Sequence, residues 1–266
     1  PHSPDVERRR LRVFSSLLVL VFLVNFGRVV FAPLLDPFIR VFGVGEATVG
    51  LVATLAWLGT AVPRLPTGYL LTRVSRQRVV LGTGVFLAAA SIFTALAETI
   101  WHVGIGAVLI GTTSGIYFIA ANALVSELFP DRVGRVIGIH GTASQTAAVV
   151  APFFVTVAIA IYDWRLLFVG IAVAALLATG WLLYTARQTD LPDVGRENRH
   201  LWRSVKVHWP IVVTAVAIIG ATGFVWNGFF NFFVRYLVTT KSLSSGAAGT
   251  MLTLIFAAGM PGFFYA

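Results

Sequence analysis

Arg28 offers the sharpest chemistry in this sequence. It lies inside an apolar run that begins at Val13, where a cation costs about 2.5–3.5 kcal/mol on insertion scales and therefore faces a partner or a wet cavity. Asn25, Arg28, Ala32 and Asp36 fall on one face at helical spacing, before any proline kink is allowed for. A guanidinium there can bind an anion through charge-assisted, bidentate hydrogen bonds. It can equally form an internal ion pair, for instance with Asp36 after kinking or with a residue beyond this stretch of a longer chain, and both readings stand. Asp36 is the one carboxylate well inside an apolar run. Held away from water it is a candidate for proton coupling, although its place near the outer mouth also suits a solvated carboxylate. His140 is the second coupling candidate, because an imidazole carries a proton near neutral pH; a lone His also serves as a packing residue.

Farther along, Asn227 and Asn231 are spaced i,i+4 beside Trp226, with Arg235 one turn on. Two amides on one face can recognise a solute or hydrogen-bond neighbouring helices. Tyr117 and Asn122 are further candidates for lining a cavity, in a stretch where Gly111, Thr112, Thr113, Ser114 and Gly115 suit close helix packing. No zinc-ligand spacing, phosphate-binding Gly loop or Gly-x-Ser-x-Gly elbow occurs, and there is no Cys. The reading is therefore of a non-enzyme with no catalytic residues, no metal and no cofactor. ATP-driven pumping finds no support in this chain.

The elements that must position these residues are read from composition. Of 266 residues 57% are apolar and 12% charged, against roughly 45–50% and about 25% in soluble domains. The mean hydropathy is +0.85. Since about 20 apolar residues cross a bilayer, the chain divides into about eight spans, near 13–40, 46–71, 79–97, 103–126, 134–160, 165–186, 208–237 and 246–266. The class is all-α, a polytopic transmembrane bundle. The first span is long, and Pro33 and Pro37 should kink its outer half. The start at Pro1 and the apolar end at Ala266 set the expectation of a piece of a longer chain.

Basic residues sort by side. Arg8, Arg9, Arg10 and Arg12, then Arg73, Arg76 and Arg78, then Arg132 and Arg135, then Arg187, Arg196, Arg199, Arg203 and Lys206 make fourteen of the 20 Lys and Arg, all on one side. The opposite side has Arg40, Arg165 and Lys241, and Arg28, Arg64 and Arg235 remain at membrane depth. The positive-inside bias places the N-terminus in the cytoplasm, with Arg64 in the cytoplasmic half of its span, reaching toward phosphate head groups. The net charge of +9 thus expresses topology, and no nucleic acid is implied. Residues 187–206 form the one long polar linker, between a six-helix lobe at 1–186 and a further segment at 207–266. There Gly249–Leu254 (GTMLTL) echoes Gly50–Leu55 (GLVATL), as a parallel repeat of six-helix halves would.

The loop after the second span reads Gly68, Thr72, Arg73, Ser75, Arg76 and Gln77-Arg78. It resembles the loop between helices 2 and 3 of major facilitator superfamily transporters, Gly-x-x-x-Asp-Arg-x-Gly-Arg-Arg/Lys, with Thr72 at the Asp and Ser75 at the second Gly. The run from Glu127 through Pro130, Arg132, Gly134 and Arg135 to Gly138 is similar to the family's Phe-Pro-x-x-x-Arg-Gly-x-x-x-Gly. So are Ala151-Pro152 and Asp163-Trp164-Arg165-x-x-Phe168. The resemblance implies a twelve-helix, two-lobed fold of which about eight helices are present. It also implies alternating access and a central cavity met by the Arg28 and Asn227–Asn231 faces. Gly68, Thr72, Arg73, Arg76 and Arg78 then form the conformational loop motif. Because the family's Asp joins a charge relay favouring the outward-facing state, Thr72 weakens that inference here.

The expected function is secondary transport of a small solute across the plasma membrane by a monomer, with a proton or another ion as the coupling partner. Arg28 points to an organic or inorganic anion. The alternatives are an exporter of neutral or cationic solutes or drugs, and a non-transporting membrane sensor on the same scaffold.

Overall fold

The structure, a computed structural model, describes residues 4–189 and 205–259. The described helices are α1 (Pro4–Val29), α2 (Leu35–Phe42), α3 (Glu46–Ala61), α4 (Arg64–Leu70), α5 (Arg76–Ala95), α6 (Ile100–Leu128), α7 (Val133–Ile161), α8 (Arg165–Arg187), α9 (Trp209–Lys241) and α10 (Ser245–Gly259). A 3₁₀ turn at Pro130–Arg132 leads into α7. Among the described residues six stretches are long and apolar enough to cross a membrane: Pro4–Val29, Glu46–Leu70, Arg76–Ala95, Ile100–Leu128, Pro130–Ile161 and Arg165–Arg187. They match the first six expected spans, and α9 and α10 lie where the seventh and eighth are expected.

Prolines set the breaks. α1 ends at Val29, residues 30–34 form turns around Pro33, and α2 resumes with Pro37 in its first turn, where no N–H is needed. Gly43 then closes α2 in the left-handed conformation (φ 63°), its N–H bonded to the Ile39 carbonyl. The second span is split at Pro63, which caps α4. Pro152, by contrast, is carried inside α7. One expectation is corrected here. The face shared by Asn25, Arg28, Ala32 and Asp36 does not run through, because the helix stops at Val29. Ala32 lies in the turn and Asp36 belongs to α2.

The chain forms two compact units, one containing α1–α8 and one containing α9 and α10. In the first, α6 is the hub, packed against α1, α3, α4, α5 and α7, while α1 packs on α6, α7 and α8 and α5 on α6 and α8. Lipid removes the hydrophobic drive between helices, so close van der Waals fit must hold them. The α3–α6 seam shows how: Gly111 and Gly115 abut the backbone carbonyls of Ala56 and Thr60, leaving no room for a Cβ. α3 presents Val49, Val52, Ala56, Gly59 and Thr60 to this seam at helical spacing. α1 is sheathed on nearly all sides, with Val13, Leu17, Leu20, Val21 and Val24 fully buried.

In the second unit α9 and α10 pack on each other. Gly50 and Gly249 each stand fifth in their helices, and Thr54 and Thr253 donate to the Gly50 and Gly249 carbonyls at 2.9 and 3.1 Å. The sequence echo thus occupies one helical register twice. Most of the expected linker, residues 190–204, lies outside the described residues.

Candidate functional site

Arg28 sits in the last turn of α1, where a cation complements the negative helix end. Its Nη2 donates to the Asn25 Oδ1 at 2.6 Å, the i,i+3 contact that helical spacing allows. Asn25 is held in turn: its Nδ2 donates to the Ser144 carbonyl of α7 at 2.7 Å, and the side chain is 1% exposed. The Asn25 amide therefore has one orientation, with its oxygen turned to Arg28. The guanidinium lies 4.3 Å from the Trp57 ring centroid on α3, a cation–π contact that grows stronger as water is excluded. The Arg28 Nε–H is buried with no acceptor. Among the described residues the ion pairs are Arg76–Glu127, Arg132–Glu7 and Arg165–Asp163, so Arg28 has no carboxylate partner. Asp36 is exposed on α2 and does not pair with it. A half-buried guanidinium, oriented by an amide and an indole and with no carboxylate partner among the described residues, can accept an oxyanion.

Tyr117 and His140 form a second polar cluster inside the same unit. Tyr117 is fully buried and His140 is 1% exposed. The Tyr117 hydroxyl donates to the Leu17 carbonyl at 2.8 Å and meets His140 Nε2 at 3.3 Å. A phenol has one proton, so the His140 Nε2–H must be the donor in the second bond. The two rings are nearly parallel, their centroids 5.9 Å apart. This network and the Asn25–Ser144 bond tie α1 to α6 and α7. The Asn122 Oδ1 is buried and accepts no hydrogen bond from a donor among the described residues, on a half-buried side chain one turn before Ser126. The side chains of Trp226, Asn227, Asn231 and Arg235 lie outside the described residues.

The loop motif is ordered by local bonds. Thr72 donates to the Tyr69 carbonyl at 2.7 Å, and Arg73 stacks 4.7 Å from the Tyr69 ring centroid. Gly68 lies in α4 and Arg78 is exposed in the first turn of α5. Arg76 pairs with Glu127 at the end of α6, the two side chains 14% and 20% exposed. Nearby ends are tied too: Arg132 to Glu7 at 2.5 Å, Arg9 to the Gln188 carbonyl at 3.0 Å, and Arg10 to the Leu128 carbonyl at 3.3 Å. These contacts gather the basic N-terminus, the Arg73–Arg78 loop and the 3₁₀ turn at one end of the bundle. The other end is held by Trp164, which packs edge-on to Phe38 and Phe168, and by Arg165 bonded to Asp163 and the Ala97 carbonyl, each at 2.7 Å.

The structure thus brings Asn25 and Arg28 together, and Tyr117 with His140, while Asp36 stands apart. Trp57, Ser144 and Glu127 were not singled out by sequence as partners. Each contact joins residues on different helices, and spacing along one helix carries no such signal.

Comparison with known proteins follows this geometry. Residues 17–266 match the Major Facilitator Superfamily. The inner membrane transport protein YajR of Escherichia coli is 30% identical over 118 residues, 44% of this chain and 23% of that protein. The uncharacterized MFS-type transporter Rv1877 of Mycobacterium tuberculosis is 26% identical over 225 residues, 83% of this chain and 31% of that protein. The chain therefore spans under a third of the length of either curated relative. Among solved structures, an inward-facing, unoccupied bacterial homolog of the human lysosomal transporter Spinster matches with a TM-score of 0.70 at 18% identity, over 98% of this chain and 62% of that one. At that identity the likeness is one of fold.

Proposed function

From the premise that the chain belongs to the Major Facilitator Superfamily, a family of multi-pass membrane transporters, we propose that it moves a small anionic solute by alternating access. Arg28 is the anion anchor in this reading. The observation that carries it is the guanidinium held by Asn25 and Trp57 with a buried Nε–H and no carboxylate partner among the described residues. Charge-assisted bonds to an oxyanion would satisfy it. Asn25 serves as a positioning residue, since its own side chain is sealed between α1 and α7. Tyr117 and His140 hold the helices together in the same way, and a proton carried on His140 would have to pass through that network.

The basic residues gathered at one end support a cytoplasmic N-terminus in the plasma membrane. There the Arg76–Glu127 pair would fasten the loop to α6 during lobe movement. Thr72 bonds within its own turn, so the loop's contribution to conformational bias would rest on its arginines. The test is uptake by the full-length protein in proteoliposomes, with small anions screened against neutral and cationic solutes, with and without a pH gradient. Saturable anion uptake that is lost in Arg28→Gln supports the reading. Uptake restricted to neutral or cationic solutes and indifferent to that change favours the exporter alternative, and absence of any flux favours the sensor.

A further inference from the structure

Arg10 fixes the rotation of α1 at the basic end of the bundle. It donates to the Leu128 carbonyl at the end of α6, at 3.3 Å. At about 100° of rotation per residue, Arg8 and Arg12 are turned to the opposite face, away from α6. Both are exposed, as are Leu11, Ser15 and Val19. The flanks of this face are α8 and α7. Arg9 reaches the Gln188 carbonyl just after α8 at 3.0 Å, and Glu7 pairs with Arg132 in the turn that leads into α7. Arg187, in the last turn of α8, is exposed as well. Asp5, a turn before Arg8 and Arg9, is the other carboxylate of α1. Ser15 donates to the Leu11 carbonyl at 2.9 Å, so its hydroxyl asks nothing of its surroundings.

The same face deepens along the helix. Arg8, Arg12, Val19 and Phe26 stand at i, i+4, i+11 and i+18, one stripe of the unbroken α1. Only Tyr162, Asp163 and Trp164 join α7 to α8, yet these two helices touch each other little while both pack on α1. They splay apart over α1 and leave a cleft of about 740 Å³ among apolar side chains that include Phe22, Phe26, Phe154, Ile161 and Leu166. Gly170 of α8 also lines it, and a Cβ there would meet nothing within 4 Å. The apolar run of α1 begins at Val13, and Phe22 stands about 14 Å deeper at about 1.5 Å per residue. Half of a hydrocarbon core of about 30 Å is about 15 Å. The cleft therefore opens at the depth where acyl tails of the leaflet on the basic side end.

We propose that this stripe seats one anionic phospholipid. Arg8 and Arg12 hold its phosphate, one tail runs along Leu11 and Val19, and the tail's end enters the cleft at Phe22 and Phe26. Clustered arginines just outside a membrane span attract negative head groups, and the apolar stripe that continues from them suits a lipid rather than a free phosphate. Arg28 is spaced i+18 from Arg10 and so faces away from the stripe. The seat is independent of the anion reading.

The test reconstitutes the full-length protein in vesicles of phosphatidylglycerol and phosphatidylcholine in equal parts. The protein is extracted in mild detergent, and native mass spectrometry counts the lipids it keeps. Wild type should retain one phosphatidylglycerol in preference to phosphatidylcholine. Arg8→Gln together with Arg12→Gln should reduce that preference on the order of tenfold. Arg73→Gln together with Arg78→Gln removes the same charge from the α4–α5 loop, whose Arg76 is tied to α6, and should leave the preference within about twofold. Gly170→Leu fills the cleft and should lower phosphatidylglycerol retention severalfold with every arginine intact. An unchanged unfolding temperature shows that each variant is folded. Equal losses in the two double variants would overturn the seat in favour of diffuse surface charge. No lipid preference in wild type, as when a further segment of a longer chain fills the groove, would overturn it too. Retention unaffected by Gly170→Leu would overturn the tail's place in the cleft, and displacement by millimolar inorganic phosphate would replace the lipid by a free anion.

Discussion

The change Asn25→Asp probes the anion anchor without touching Arg28. Asn25 now offers Arg28 a neutral oxygen at 2.6 Å. A carboxylate in the same place would neutralise the guanidinium that the proposed anionic solute would need. Two unit charges about 4 Å apart interact by about 4 kcal/mol at an effective dielectric of 20. Arg28 is only half-buried, so about 2 kcal/mol is a fair share after solvent screening. That corresponds to roughly thirtyfold weaker anion binding. The substitution also removes the Asn25 donor to the Ser144 carbonyl, which in a membrane is worth about 0.6 kcal/mol. Asn25→Leu is therefore the control: it loses both hydrogen bonds and adds no charge. Equilibrium binding of a radiolabelled anion to purified protein, with thermal unfolding alongside, separates the two effects. Asn25→Asp should bind roughly thirtyfold more weakly, and Asn25→Leu less than about fivefold. Equal losses in both variants would refute the electrostatic reasoning and leave Asn25 with a packing role alone.

Other consequences follow from single contacts. Trp57→Ala removes the cation–π partner of Arg28 and should weaken anion binding by about 1 kcal/mol, whereas Trp57→Phe should recover part of the loss in the same binding assay. Gly111→Leu forces a side chain into the Ala56 carbonyl; overpacking of this kind costs about 1–3 kcal/mol or more and should appear as a lower unfolding temperature in detergent. Glu127→Gln leaves the Arg76 charge without its carboxylate in a largely buried setting, a loss of up to about 3–5 kcal/mol. The double change to Met at both positions should restore much of the stability, as chemical denaturation would show.

Much of this fold is legible in the sequence, because lipid leaves few options. Apolar runs of bilayer length at 79–97, 103–126 and 165–186 become α5, α6 and α8 with ends displaced by only a few residues. Pro33 announces the break after Val29, yet Pro152 announces nothing, since α7 absorbs it. The lost N–H can be tolerated wherever neighbouring groups satisfy the freed carbonyl. The site is legible only in its local part. Asn25 and Arg28 are three residues apart on one helix, and their contact follows from spacing. The Arg28–Trp57 and Arg76–Glu127 contacts join residues 29 and 51 positions apart, and depend on how α1, α3, α5 and α6 pack. The turn at 30–34 also cuts Asp36 away from the face it was expected to share. Periodicity continues a helix through that turn on paper, and the backbone does not.

The most direct test of the account is the charge requirement at Arg28, measured as saturable anion uptake by full-length protein in proteoliposomes. Wild type, Arg28→Lys and Arg28→Gln should rank in that order. Lys keeps the charge but loses the planar fork that bonds Asn25 and stacks on Trp57, and Gln loses the charge itself. Uptake should fall in part with Lys and collapse with Gln, while all three proteins unfold at similar temperatures. Undiminished anion uptake by Arg28→Gln would contradict the account.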